Sequence, residues 1–100
     1  MIEIFISPST IIVTGHANYD NNNDIVCAGV SAVVLGACQL WIKNSNIIIQ
    51  QTIEPAQIKA KFTTAALNNQ QLVAQRQLLI FQLKKIALHY PNYVQIKQIN

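Results

Sequence analysis

The sequence predicts an α+β domain, a two-layer α/β sandwich in which two helices cover one face of a mixed sheet, in the order ββαββαβ. Three observations lead there. Five short segments alternate in polarity or are β-branched, two long segments carry helical spacing, and turn residues separate them. A chain of 100 residues supports one small core, so residues 1–100 read as a single domain.

Ile2 to Ile6 and Thr10 to Thr14 read as strands, with Ser7-Pro8-Ser9 as the turn of a hairpin between them. Gly15 to Asn23 follows as a loop, because Gly, Asn and Asp tolerate left-handed backbone angles and resist regular structure. The first helix runs from Asp24 to about Lys43 and is closed by Asn44-Ser45-Asn46. Gly29, Ala32 and Gly36 fall on one side of it, a face open to close approach by the sheet or by a second copy. Asn46 to Thr52, centred on Ile47-Ile48-Ile49, reads as a strand buried on at least one face. Glu54-Pro55 makes a turn, and Gln57 to Phe62 then alternates Ile58, Ala60 and Phe62 against Lys59 and Lys61. The two lysines read as guards of an edge strand against aggregation. Leu72, Val73, Leu79, Ile80, Leu83, Ile86, Ala87 and Tyr90 keep helical spacing, with Arg76 as the exception. They predict one long helix from about Thr64 to His89, ended by Pro91, with His89 in the last turn where positive charge is favourable. Tyr93 to Ile99 alternates again as a last short strand.

Composition narrows the function classes. Hydrophobic residues make up 51% of the chain and charged residues 11%, so some apolar surface is expected to face a partner copy, and a homodimer is predicted. The net charge of +3 comes from seven scattered basic residues without a run of Lys or Arg, so no direct nucleic-acid partner is expected. Ile25 to Ile42 is uncharged and approaches the length of a membrane span. Ser31, Gln39, two glycines and the lack of basic flanks beyond Lys43 favour a helix buried in protein, and no membrane partner is expected. Cys27 and Cys38 on one helix are separated by about 16 Å of rise, beyond disulfide range. Two free thiols and no secretory signal point to a reducing, cytoplasmic location. No glycine-rich phosphate loop occurs, and His16, Asp20, Asp24 and Cys27 lack ligand spacing, so neither a cofactor nor a metal is expected.

Chemistry concentrates around Cys27. If Asp24 caps the helix, Cys27 occupies its N3 position, where unpaired N–H groups and the macrodipole favour a thiolate over a thiol. His16, eleven residues earlier in the polar loop, can complete a nucleophile and base pair. On the residues alone, a buried small hydrophobe beside a loop histidine fits as well.

Gly15-His16-Ala17-Asn18-Tyr19, followed by Asp24-Ile25-Val26-Cys27-Ala28-Gly29-Val30-Ser31, resembles the paired signature of the bacterial ribosomal-processing cysteine protease family, Prp. The closing Tyr90-Pro91-Asn92-Tyr93 is similar to that family's ending, and the resemblance spans the chain in length and element order. It implies a homodimeric cytoplasmic endopeptidase with a mobile histidine loop. The implied partner is a precursor of a large-subunit ribosomal protein, whose N-terminal extension is cut off after an apolar, aromatic motif and whose trimmed end approaches the peptidyl-transferase centre. Carried over by position, the resemblance makes Cys27 the nucleophile and His16 the general base, with Gly15, Asp24 and Ser31 as supporting residues. Asp24 then has two roles open to it, capping the helix or orienting His16. Ser31 lies one turn after Cys27, so its hydroxyl either reaches the site or bonds back to the helix. The chain departs from the family pattern in two places. Asn21-Asn22-Asn23 stands where relatives place a glycine in a slightly longer loop, and Gly29 stands where alanine is commoner. Two other function classes remain open: a non-catalytic module binding ribosome or RNA, suggested by the mild positive charge and by Lys59 and Lys61, and a thiol acyltransferase using the same Cys27 and His16.

Overall fold

The computed structural model describes residues 1–99. Its strands are β1 (Ile2–Ile6), β2 (Thr10–Thr14), β3 (Ile47–Thr52), β4 (Gln57–Phe62) and β5 (Val94–Gln98). Helices α1 (Ile25–Trp41), α2 (Thr64–Leu67) and α3 (Gln70–His89) complete the chain. The strands form one mixed sheet in the order β3-β4-β2-β1-β5, antiparallel throughout except for the parallel pair β1 and β5.

Period-two alternation gives the sheet one buried face. Ile2, Ile4, Ile6, Ile11, Val13 and Phe62 point into the core. The α1 residues Val26, Val30, Val34, Cys38 and Trp41, spaced one turn apart, meet them with Leu79 and Leu83 of α3. Trp41 closes one end of the core, edge-on to Phe62 at 5.1 Å between ring centres, while its Nε1–H donates to Gln75 Oε1 at 2.9 Å. Cys38 is buried in this layer, and both cysteines are free thiols. Among the described residues no helix is long and apolar enough to cross a membrane.

Two local details differ from the sequence reading, and a third explains an exception in it. The helix expected from Thr64 to His89 is two, because Asn69 turns extended and its side chain accepts from Leu72 N–H, starting α3 afresh. Thr63 caps the preceding short turn by accepting from Ala66 N–H. Arg76, which broke the apolar spacing, lies over the Phe62 ring and donates through Nη2 to the Ser7 carbonyl, tying α3 to the first hairpin. Burial of its guanidinium lowers its pKa. Finally, β4 is an interior strand, paired with β2 on one side and β3 on the other. Lys59 and Lys61 therefore stand on the open face of the sheet rather than guarding an edge, and Lys59 is level with Ile12 of β2.

Candidate active site

The site is built where β2 ends and α1 begins. Gly15 follows β2 with φ +87°, the left-handed region in which a side chain is strained, and its N–H donates to the Ala56 carbonyl at 3.0 Å. A Cβ at this position would lie 2.6 Å from the backbone oxygen of Met1, so only glycine lets the chain turn here. His16 comes next and is exposed. Ala17 is buried, and its N–H donates to Cys27 Sγ at 3.1 Å. Asn18 then takes φ +56°, a left-handed angle that asparagine tolerates, reversing the chain before Tyr19.

Asp24 joins the loop to the helix. Its Oδ1 accepts from Cys27 N–H at 2.9 Å, the N-cap bond, and its Oδ2 accepts from Tyr19 N–H at 3.1 Å. The bond from Cys27 N–H, with that from Tyr19 N–H, holds the Asp24 carboxyl below its ordinary pKa. Asp20 makes a second turn, accepting through Oδ1 from Asn22 N–H at 2.8 Å and Asn23 N–H at 3.1 Å, which lowers its pKa in the same way. Asn21-Asn22-Asn23 is thus folded around Asp20 without a glycine.

With Asp24 as N-cap, Cys27 occupies the N3 position and is half-buried. Gly15, His16, Cys27 and Ser31 line one groove of about 290 Å³. Its far walls come from Leu35 of α1 and from Ile53 in the turn between β3 and β4. Ile53 is 84% exposed, an unusual state for isoleucine that leaves an apolar side chain at the mouth of the groove. The arrangement offers a sulfur nucleophile with a backbone N–H donor on it, an imidazole on the same groove, and apolar walls able to seat a side chain.

Both Asp24 oxygens serve backbone N–H groups, so of its two roles the structure provides the capping one. Ser31 lies on the groove one turn beyond Cys27. Three of the helix-start donors are engaged: Ile25 N–H binds the Asn23 carbonyl, Cys27 N–H the Asp24 carboxylate, and Ala28 N–H the Asp24 carbonyl. The Ala17 N–H, which the sequence reading passed over, is the donor that meets the sulfur. That reading quoted Tyr19 in the family motif but gave it no role; its ring stands edge-on to Tyr93 at 5.0 Å and to Tyr90 at 5.8 Å. A lone tyrosine in an Asn-rich loop was the available signal.

A family model described as cysteine protease Prp matches residues 1–95. The chain is 30% identical over 97 residues to the ribosomal processing cysteine protease Prp of Mycoplasma pneumoniae, a match covering 94% of this chain and 91% of the relative. Its similarity to the protein of that name from Mycoplasma genitalium is 29% over 99 residues, covering 98% and 96% of the two chains. Among solved structures, the S. aureus ribosomal processing protease Prp bound to a covalently linked product peptide superposes with a TM-score of 0.87. That match, at 23% identity, covers 99% of this chain and 100% of the other and shows a shared fold. A fold with the same architecture, a family match over nearly the whole length and a relative at 30% identity agree: the chain belongs to the cysteine protease Prp family.

Proposed function

We propose that this protein is a cysteine endopeptidase that removes the N-terminal extension of a large-subunit ribosomal protein. The observation that carries the reading is Cys27 at N3 of α1, its sulfur taking the Ala17 N–H, on the same groove as His16. Membership of a cysteine protease family and two curated relatives named for ribosomal processing support it.

The Cys27 thiolate attacks the scissile carbonyl carbon, forming a C–S bond and pushing the carbonyl electrons onto oxygen. As the sulfur gives up its charge, the Ala17 N–H is released from it and becomes available to the new oxyanion, which sits on the carbon now bonded to that sulfur. His16, as imidazolium, protonates the leaving amine while the C–N bond breaks, then takes a proton from water as that water releases the acyl group. Asp24 holds loop and helix in register throughout. The apolar walls of the groove suit a substrate with an apolar or aromatic side chain near the cut.

The enzyme works as a homodimer in the cytoplasm. Leu40, Leu78 and Phe81 on the helices are 62%, 58% and 67% exposed, apolar surface that a second copy would cover, and the free thiols suit a reducing compartment. The test is incubation with a peptide spanning the extension junction of the ribosomal protein from the same organism, read by mass spectrometry beside Cys27→Ala. One cut after the aromatic motif, absent in the variant, is expected. An intact peptide with folded, reduced protein would refute proteolysis, and an acyl group found on an acceptor other than water would make it an acyltransferase.

A further inference from the structure

The loop between Gly15 and Asp24 carries the imidazole and the N–H donor, yet apart from the buried Ala17 it is polar and mostly exposed, with few apolar contacts of its own to order it. Tyr19 supplies them. Its ring makes two edge-to-face contacts, with Tyr93 at 5.0 Å and 76° and with Tyr90 at 5.8 Å and 86°. Those partners stand on firm ground. Tyr90 caps α3 through its N–H to the Ile86 carbonyl, and the Tyr93 carbonyl accepts from Ile2 N–H beside the parallel pairing of β1 and β5.

The backbone of the same residue donates to Asp24 Oδ2, the carboxylate whose other oxygen caps the helix bearing Cys27. Between Tyr19 and Ala17 lies only Asn18, held at a left-handed angle. Any swing of Tyr19 therefore moves the Ala17 N–H, which sits 3.1 Å from Cys27 Sγ. We infer that Tyr19 is a positioning residue, a latch whose ring, seated on Tyr90 and Tyr93, keeps the Ala17 N–H on the Cys27 sulfur. Its catalytic consequence rests on the proteolytic reading above; its structural consequence does not.

The ring performs this role rather than the phenol, so Tyr19→Phe retains it and Tyr19→Ala loses it. Tyr19 is 40% exposed on a loop, so neither change threatens the core. Two measurements separate the consequences. Amide exchange at Ala17, followed by NMR on the full chain, should quicken by about tenfold or more in Tyr19→Ala and stay within about threefold of wild type in Tyr19→Phe. Cleavage of the junction peptide by Tyr19→Ala should lose about tenfold in kcat with KM within about threefold, while Tyr19→Phe keeps both. Tyr93→Leu, which removes the nearer partner ring, should reproduce the Tyr19→Ala exchange pattern.

Unchanged Ala17 exchange in Tyr19→Ala overturns the latch. Faster exchange with unaltered kcat overturns the positioning role, as does a loss confined to KM, which would place Tyr19 in substrate binding. If the wild-type protein cleaves nothing while exchange behaves as described, the latch stands and the proteolytic reading fails.

Discussion

Replacing Gly15 with alanine tests whether the turn at the end of β2 is as tightly specified as the geometry implies. Two strains add. An alanine held at φ +87° sits in left-handed space at a cost of about 1–2 kcal/mol. Its Cβ would stand 2.6 Å from the Met1 carbonyl oxygen, where ordinary contact begins at 3.4 Å, so something must retreat by the difference, 0.8 Å. The opposing atom is backbone at the head of β1, which cannot swing away as a side-chain tip can, and local strain of this kind costs about 1–3 kcal/mol. Together these come to about 2–5 kcal/mol, and for a domain of this size each kcal/mol lowers Tm by about 4–8 °C. Gly15→Ala should therefore melt about 10 °C or more below wild type by circular dichroism. Gly36→Ala is the matched control. That glycine lies in α1 with no atom within 4 Å of an added Cβ, so alanine there should stabilise by up to about 1 kcal/mol through helix propensity alone. A Gly15→Ala protein melting within about 2 °C of wild type would refute the strain argument, because neither contribution could then be present.

Four further outcomes follow from the same contacts. Asp24→Asn keeps an acceptor for Cys27 N–H but presents one amide oxygen where two carboxylate oxygens served, so the cap should survive and the Tyr19 tether weaken; faster Ala17 exchange with unchanged helicity would show it. Because the folded Asp24 and Asp20 carboxyls lie below their ordinary pKa values, their contribution to stability is complete above the unfolded carboxyl pKa of about 4 and is lost as pH falls through the folded values. Tm should thus decline in acid, and less steeply in Asp24→Asn, as read from melts across that range. Leu83→Ala, at a fully buried site, should cost about 2–5 kcal/mol in chemical denaturation. Arg76→Met, which gives up the bond to the Ser7 carbonyl while keeping apolar bulk over Phe62, should cost about 1.5 kcal/mol by the same assay.

What could be read from the sequence was what neighbours along the chain decide. The alternation of Ile58, Ala60 and Phe62 with Lys59 and Lys61 places β4 to the residue, since each side chain's face follows from its place in the pleat. The Asp24 cap is equally local, because a carboxylate reaches an N–H three residues on without help from the rest of the fold, and it fixes Cys27 at N3. What was misread depends on distant partners. The break before α3 is the exception, a local signal passed over: Asn68-Asn69-Gln70-Gln71 interrupts the apolar spacing, and Asn69 caps the new helix by accepting from Leu72 N–H. Strand order is a property of the whole sheet, and β4 looks like an edge until β2 and β3 are known to flank it. In the site, the Ala17 N–H has no side chain to announce it, and Tyr19 meets rings contributed from the far end of α3.

The tyrosine contacts also set a sequence of events during synthesis. A ribosome makes Tyr19 and Cys27 long before it makes Tyr90 and Tyr93, and β1 waits equally long for its parallel partner β5. A nascent chain can raise its first hairpin and wind α1 with its cap in place, while the loop beside the thiol still has nothing to rest on. On the proposed reading, Cys27 is present from early in translation, but the latch on its loop is completed only when Tyr90 and Tyr93 have been made and the C-terminal strand docks. For a protein proposed to cut other chains, this delay would confine its chemistry to molecules that have finished folding.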